Sequence, residues 1–191
     1  MSFDETIIHC SAPALCGIKP ANLFSMDSKS FHEGKNRLLK WQGDFCKSKK
    51  YFVPLKKGEG RFLFFVYDRN LLESVVADKR NALYLIEKGY SLNKGLNGVL
   101  CELLHRLMYC REFPHEVGLF LGYPLEDVIG FEKDRFACKY SGFWKVYGNR
   151  DEAERKMKKY KSCSEICMKW LDQGLSVPVV AKKYQKILPG V

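Results

Sequence analysis

At 191 residues the chain has the length of one domain able to bury a sizeable core, and its 46% hydrophobic and 28% charged residues are those of an ordinary globular protein. The apolar runs FLFFVY (62–67) and VGLFLGYPL (117–125) are far too short to cross a bilayer, so no membrane role is expected. The formal charge of +10 is uneven, with net values of +6 over 1–110, −3 over 111–138 and +7 over 139–191, and a basic excess attracts nucleic acid, anionic ligands or acidic partners while also keeping a protein soluble.

The N-terminus, MSFDETIIHC, carries early acids and no basic region leading into an apolar segment, which reads as a cytoplasmic start and not as a signal peptide. Ser2 and Glu5 have capping-box spacing, placing a short helix from Phe3 that ends by Pro13. KPANLFSM (19–26) reads as a strand. Ser30 and Glu33 repeat the capping-box spacing before an amphipathic helix to about Lys47, weakened by Gly34 and Gly43. YFVPL (51–55) and RFLFFVY (61–67) flank KKGEG as a hairpin. Its second arm is apolar throughout, as a central strand is, and Pro54 sends the first arm to an edge.

Asp68 caps a further helix, and another runs from Lys79 to a stop at Gly89. The strongest helical pattern covers 94–111, with Leu96, Leu100, Leu103, Leu104 and Leu107 on one face. YSGFWKVYG (140–148) reads as a strand. Residues 150–172 form a long helix with Ala153, Met157, Tyr160, Cys163, Cys167 and Trp170 inward, and a last helix starts near Val177 with Pro178 in its first turn. The fold class is α+β: a small three- to four-stranded sheet with a central hairpin, covered by six or more helices, in a single domain over 1–191. That domain includes a helical corner at 113–134 and a basic C-terminal helical segment at 150–188.

The corner FPHEVGLFLGYPLEDVIGF (113–131) has the spacing of a helix-turn-helix, with Gly118 where the helices touch, Gly122 in the turn and Val128 packing back. Its second helix displays Glu126, Asp127, Glu132 and Asp134, and carboxylates facing phosphates oppose DNA reading, so the corner is read as packing. His115-Glu116 lacks the second histidine of a His-Glu-x-x-His zinc motif, since position 119 is Leu. A site using this pair needs partners from elsewhere. The candidates for a ligand or partner site are His9, Cys10, His115, Glu116, Tyr123, Glu126, Asp127, Trp144 and Lys145. Arg155, Lys156, Lys158 and Lys159 are the candidates for binding an anion.

The eight cysteines, at 10, 16, 46, 101, 110, 138, 163 and 167, include no Cys-x-x-Cys pair, which opposes a zinc ribbon, a ferredoxin-type cluster or a thioredoxin-like motif. Most are read as small buried hydrophobes. Cys101 with His105, and Cys163 with Cys167, sit four apart, a spacing at which a pair can share a metal. The apolar register of 150–172 favours core for the second pair. KKGEGR (56–61) and NKGLNG (93–98) lack the Walker and dinucleotide spacings, and no Gly-x-Ser-x-Gly elbow or kinase set is present, so no cofactor and no metal are assigned.

HCSAPALCGIKPANLF, FPHEVGLFLGYPLEDVIGF and GFWKVYG, in that order along the chain, resemble an uncharacterised family of clostridial and related anaerobic bacteria, domain of unknown function 3793. The resemblance spans nearly the whole chain. It implies a cytoplasmic single-domain protein from an anaerobic bacterium and transfers no catalytic residue. It also implies Cys at the position of Ser141 and a small residue at that of Cys16 in related sequences, which counts against both as ligands. Three functions follow from these readings. The first is an accessory or binding protein with a small-ligand, cofactor or partner site near the corner. The second is a nucleic-acid or polyanion binder acting through the basic C-terminal half. The third is a metal- or thiol-dependent redox enzyme built from Cys10, Cys101, His105 or His115.

Overall fold

The expected capping box is formed. In this computed structural model, which describes residues 1–56, 58 and 60–188, Glu5 N–H donates to Ser2 Oγ and Ser2 N–H to the Glu5 carboxylate, starting α1 (Phe3–Leu15). The helix runs through Pro13 and not up to it. Ala12, Ala14 and Leu15 are fully buried, and that burial outweighs the one hydrogen bond a proline removes near a helix end. β1 (Ala21–Asp27) follows and leads directly into α2 (Ser28–Lys47). Asp27, not Ser30, is the N-cap: its Oδ1 accepts from Ser30 N–H at 2.8 Å and its Oδ2 from the Ser30 hydroxyl at 2.7 Å.

β2 (Lys50–Lys56) and β3 (Arg61–Asp68) form the expected antiparallel hairpin, and the sheet order is β1-β3-β2. Residues 57 and 59 of its predicted turn lie outside the described residues. Phe24 and Pro54 both pair with Phe64, which fixes the register. Phe64, Phe65 and Val66 are all fully buried, as a strand covered on both faces requires, and Pro54 sits on the edge strand. One face, carrying Phe24, Met26, Phe52, Phe62, Phe64 and Val66, joins a core with residues of α1, α2, α8 (Arg150–Asp172) and α9 (Val177–Ile187). Gly34 of α2 serves this packing. A Cβ there would lie 2.0 Å from Phe3 Cγ, so only glycine admits the Phe3 ring.

The remaining elements are α3 (Arg69–Ala77), α4 (Lys79–Glu87), α5 (Gly95–Tyr109), α6 (Val117–Phe120), α7 (Leu125–Lys133), β4 (Tyr140–Ser141) and β5 (Lys145–Val146). Asp78 caps α4 with bonds from Arg80 and Asn81 N–H, and Gly89 closes it at φ +83°. The architecture is therefore α+β, as expected. The strand expected over 140–148 is instead a two-stranded hairpin in which Tyr140 pairs with Val146 and Ser141 with Lys145. The chain doubles back at Gly142, whose absent side chain leaves room for Met157 Sδ, 2.4 Å from where a Cβ would lie.

The described residues divide into two compact units, those of 1–70 with 159–188 and those of 71–158. The sheet with α1, α2 and α9 belongs to the first. The helical corner and the small hairpin belong to the second.

Candidate functional site

In the second unit α6 and α7 form the tight pair that the sequence predicts. A Cβ on Gly118 would lie 2.9 Å from Tyr123 Cδ2 and 3.2 Å from Val128 Cγ2, and Gly122 turns the chain at φ +79°. Asp127, buried, locks this corner to the hairpin. Its Oδ2 accepts from Trp144 Nε1 at 2.8 Å, and its Oδ1 from the N–H groups of Tyr147 and Gly148 at 2.7 and 2.8 Å. Tyr123 stacks on Trp144 with ring centroids 4.7 Å apart. Tyr123, Asp127 and Trp144 are thus brought together as a brace. Glu126 is exposed and passes close over Gly148, where a Cβ would meet its Cγ at 2.4 Å.

His115 and Glu116 open in different directions. Glu116 is buried, and its Oε1 accepts from Arg106 Nη1 at 2.9 Å and the Tyr90 hydroxyl at 3.0 Å. Arg106 also donates to Glu102 Oε1 at 2.6 Å and to the Lys88 carbonyl at 2.8 Å, and stacks over the Tyr90 ring at 4.2 Å. Burial, and then the Glu116 charge, push the Tyr90 hydroxyl well above its usual range, so it stays a donor. Nearby, Glu132 accepts from the Tyr84 hydroxyl at 2.8 Å and pairs with Lys88 at 2.8 Å. His115 is exposed, its ring edge-on to Phe131 at 5.0 Å. Lys145 reaches the same Phe131 ring at 5.8 Å and donates to the Arg135 carbonyl at 2.5 Å.

These groups border an open cleft of about 630 Å³, lined by Lys88, Arg106, Glu102, Glu116 and Glu132, with His105, Glu112 and His115 on its walls. Lys88, Glu102, Arg106 and Glu132 were missed from the sequence. Glu102 and Arg106 stand four apart on α5, a local spacing. The links from Arg106 to Glu116 and from Lys88 to Glu132 join α5 to the start of α6 and the end of α4 to α7, and no local spacing signals those.

His9 and Cys10 lie on α1 in the first unit, His9 exposed and Cys10 half-buried, whereas the other seven ligand-site candidates lie in the second. Of the basic candidates, Arg155, Lys158 and Lys159 are exposed along α8, and Lys156 pairs with Glu152 at 2.9 Å. Two more intrahelical pairs, Arg150 with Glu154 and Lys161 with Glu165, neutralise part of that surface.

Only three of the eight cysteines are buried: Cys16, Cys163 and Cys167. The reading of most cysteines as core is corrected by Cys101 and Cys110, which are exposed, and by Cys10, Cys46 and Cys138, which are half-buried. Leucines at 96, 100, 103 and 107 fill the buried stripe of α5 and turn Cys101 and His105 outward. The three buried thiols converge in the first unit, with Cys16 Sγ 3.6 Å from Cys167 Sγ and all three sulfurs within 4.8 Å of one another. Hydrogen bonding with Cys163 and Cys167, then burial, push the Cys16 thiol up, whereas bonds from Cys16 and Cys163 pull Cys167 down.

The fold and these two features define a small α+β protein with a charged surface cleft in one unit and a buried thiol cluster in the other. The chain belongs to the family described as protein of unknown function (DUF3793), whose model matches residues 7–181. No curated protein and no solved structure matches it. No helix among the described residues is long and apolar enough to cross a membrane.

Proposed function

We propose that the protein is a binding protein whose ligand, a small molecule bearing an amine or other cationic group, seats in the cleft beside the 113–131 corner. The observation that carries this reading is the composition of the cleft. Four carboxylates (Glu102, Glu112, Glu116 and Glu132) face two cations (Lys88 and Arg106), so the walls favour positive charge. Its volume of about 630 Å³ lies within the range of small-molecule sites. The ring of His115, with Phe131 at 5.0 Å and Phe113 at 6.3 Å, offers an aromatic edge for the apolar part of a ligand.

The ion pairs hold the cleft ready before a ligand arrives. Arg106 fixes Glu102 and Glu116, and Lys88 fixes Glu132, so little ordering is left to be lost on binding. The test is a titration of the full-length protein with primary amines and diamines, followed by the side-chain resonances of His105 and His115, with matched carboxylates as controls. Saturable shifts with amines alone, weakened by Glu112→Gln, are expected. Equal shifts with amines and carboxylates, or none with either, would overturn the reading.

A further inference from the structure

We propose that Cys16, Cys163 and Cys167 bind a single thiophilic metal ion, with monovalent copper as the ion that fits. The three residues come from distant parts of the sequence. Cys163 and Cys167 lie one turn apart on the same face of α8, and Cys16 is the C-cap of α1, 151 positions before Cys167. A metal–thiolate bond of about 2.3 Å places the sulfurs of a trigonal site roughly 4 Å apart. The observed 3.6 Å between Cys16 and Cys167, and the 4.8 Å bound on the whole set, bracket that spacing. Closing the thiols around an ion therefore needs only side-chain adjustment.

The surroundings select the ion. All three residues are at most 1% exposed, and they share a hydrophobic cluster with Ile8, Leu15, Val180, Ala181 and Tyr184. Three buried thiols, with the Tyr184 hydroxyl at Cys163 as the neighbouring oxygen, disfavour the hard cations that keep several oxygen ligands and water. Zinc in a closed site takes four ligands, and the group supplies three among the described residues. Cuprous copper is soft and is satisfied by three sulfurs. Binding displaces protons from the thiols to solvent, with no change of oxidation state. The five remaining cysteines, exposed or half-buried, take no part.

Without metal the same three residues are core filler, since a thiol packs as a small hydrophobe. The two cases separate in one experiment. Reduced full-length protein, handled without oxygen, is given Cu(I) in the presence of a chromogenic Cu(I) chelator, and the retained metal is examined by X-ray absorption. Expected are one retained equivalent per chain with three sulfur neighbours, loss of that equivalent in Cys163→Ala, and its retention in Cys101→Ser/Cys110→Ser. Should Cys163→Ala fail to fold, the count of sulfur neighbours in the wild type decides. No retained copper, copper held by nitrogen or oxygen, or copper lost with the Cys101/Cys110 variant would overturn the proposal. Zn(II) retained while Cu(I) is rejected would overturn the choice of copper.

Discussion

The indole N–H of Trp144 meets the Asp127 carboxylate at 2.8 Å, and this contact joins the helical corner to the small hairpin. The second oxygen of the same carboxylate takes the N–H groups of Tyr147 and Gly148. With three donors on two oxygens, Asp127 is an internal brace. An acidic residue in the first turn of a helix is ordinarily explained by the helix dipole alone, and here it also organises a segment some twenty residues later.

Asp127→Ala strands these donors in a partly buried setting. The expected loss is about 2–4 kcal/mol, or a fall in Tm of roughly 5–15 °C. The indole N–H resonance of Trp144 should move or broaden, while those of Trp41 and Trp170 in the first unit stay in place. A variant with unchanged Tm and an unmoved Trp144 resonance would show that Asp127 braces nothing.

Two glycines in α2 should respond to alanine with opposite signs. At Gly34 the new Cβ would sit 2.0 Å from Phe3 Cγ, so Gly34→Ala forces the ring or the helix aside and costs about 1–3 kcal/mol. At Gly43 nothing lies within 4 Å, and Gly43→Ala should stabilise the helix by roughly 0.5–1 kcal/mol. Urea midpoints with unchanged m-values would measure both. Equal effects at the two sites would refute the close approach of α1 and α2.

Lys19 makes stability depend on alkaline pH. Burial pulls its ammonium down from 10.5 to about 8. The folded state therefore holds fewer protons than the unfolded chain between about pH 8 and 10.5, and stability contributed by this group rises with pH through that window. Below pH 8 both states are charged and the full burial cost, at most about 3 kcal/mol, is present, offset in part by the Tyr160 ring 5.5 Å from the ammonium. Comparison with Lys19→Met cancels most other titrations. The difference should shift toward the wild type as pH rises from 8 to 10.5, and a flat difference would show that Lys19 does not carry the effect.

Where a signal was local, it was legible in the residues. The Ser2–Glu5 box, the Gly89 stop, the apolar β3 strand and the inward stripe of α8 each depend on neighbours within a few positions, and each is found in the structure. Local signals failed where a distant group intervened. Pro13 predicts a helix end, but core burial carries α1 on to Leu15. The aromatic run at 140–148 predicts a continuous strand, but the chain doubles back at Gly142 and Asp127 takes hold of Trp144, Tyr147 and Gly148. No spacing in the sequence brings Cys16 to Cys167, 151 positions away, yet their sulfurs lie 3.6 Å apart.

The sequence by itself determined the α+β class and the packing role of the Gly118–Gly122 corner, because periodicity, caps and turn residues act over one or two turns of chain, while the family was carried by the resemblance of three motifs. Which charged and sulfur-bearing side chains meet was decided only by the tertiary structure. Arg106 reaches Glu116 across a helix junction, and Cys16 meets Cys163 and Cys167 across most of the chain. Such meetings depend on how buried faces stack, a property of all the elements together and of no single stretch.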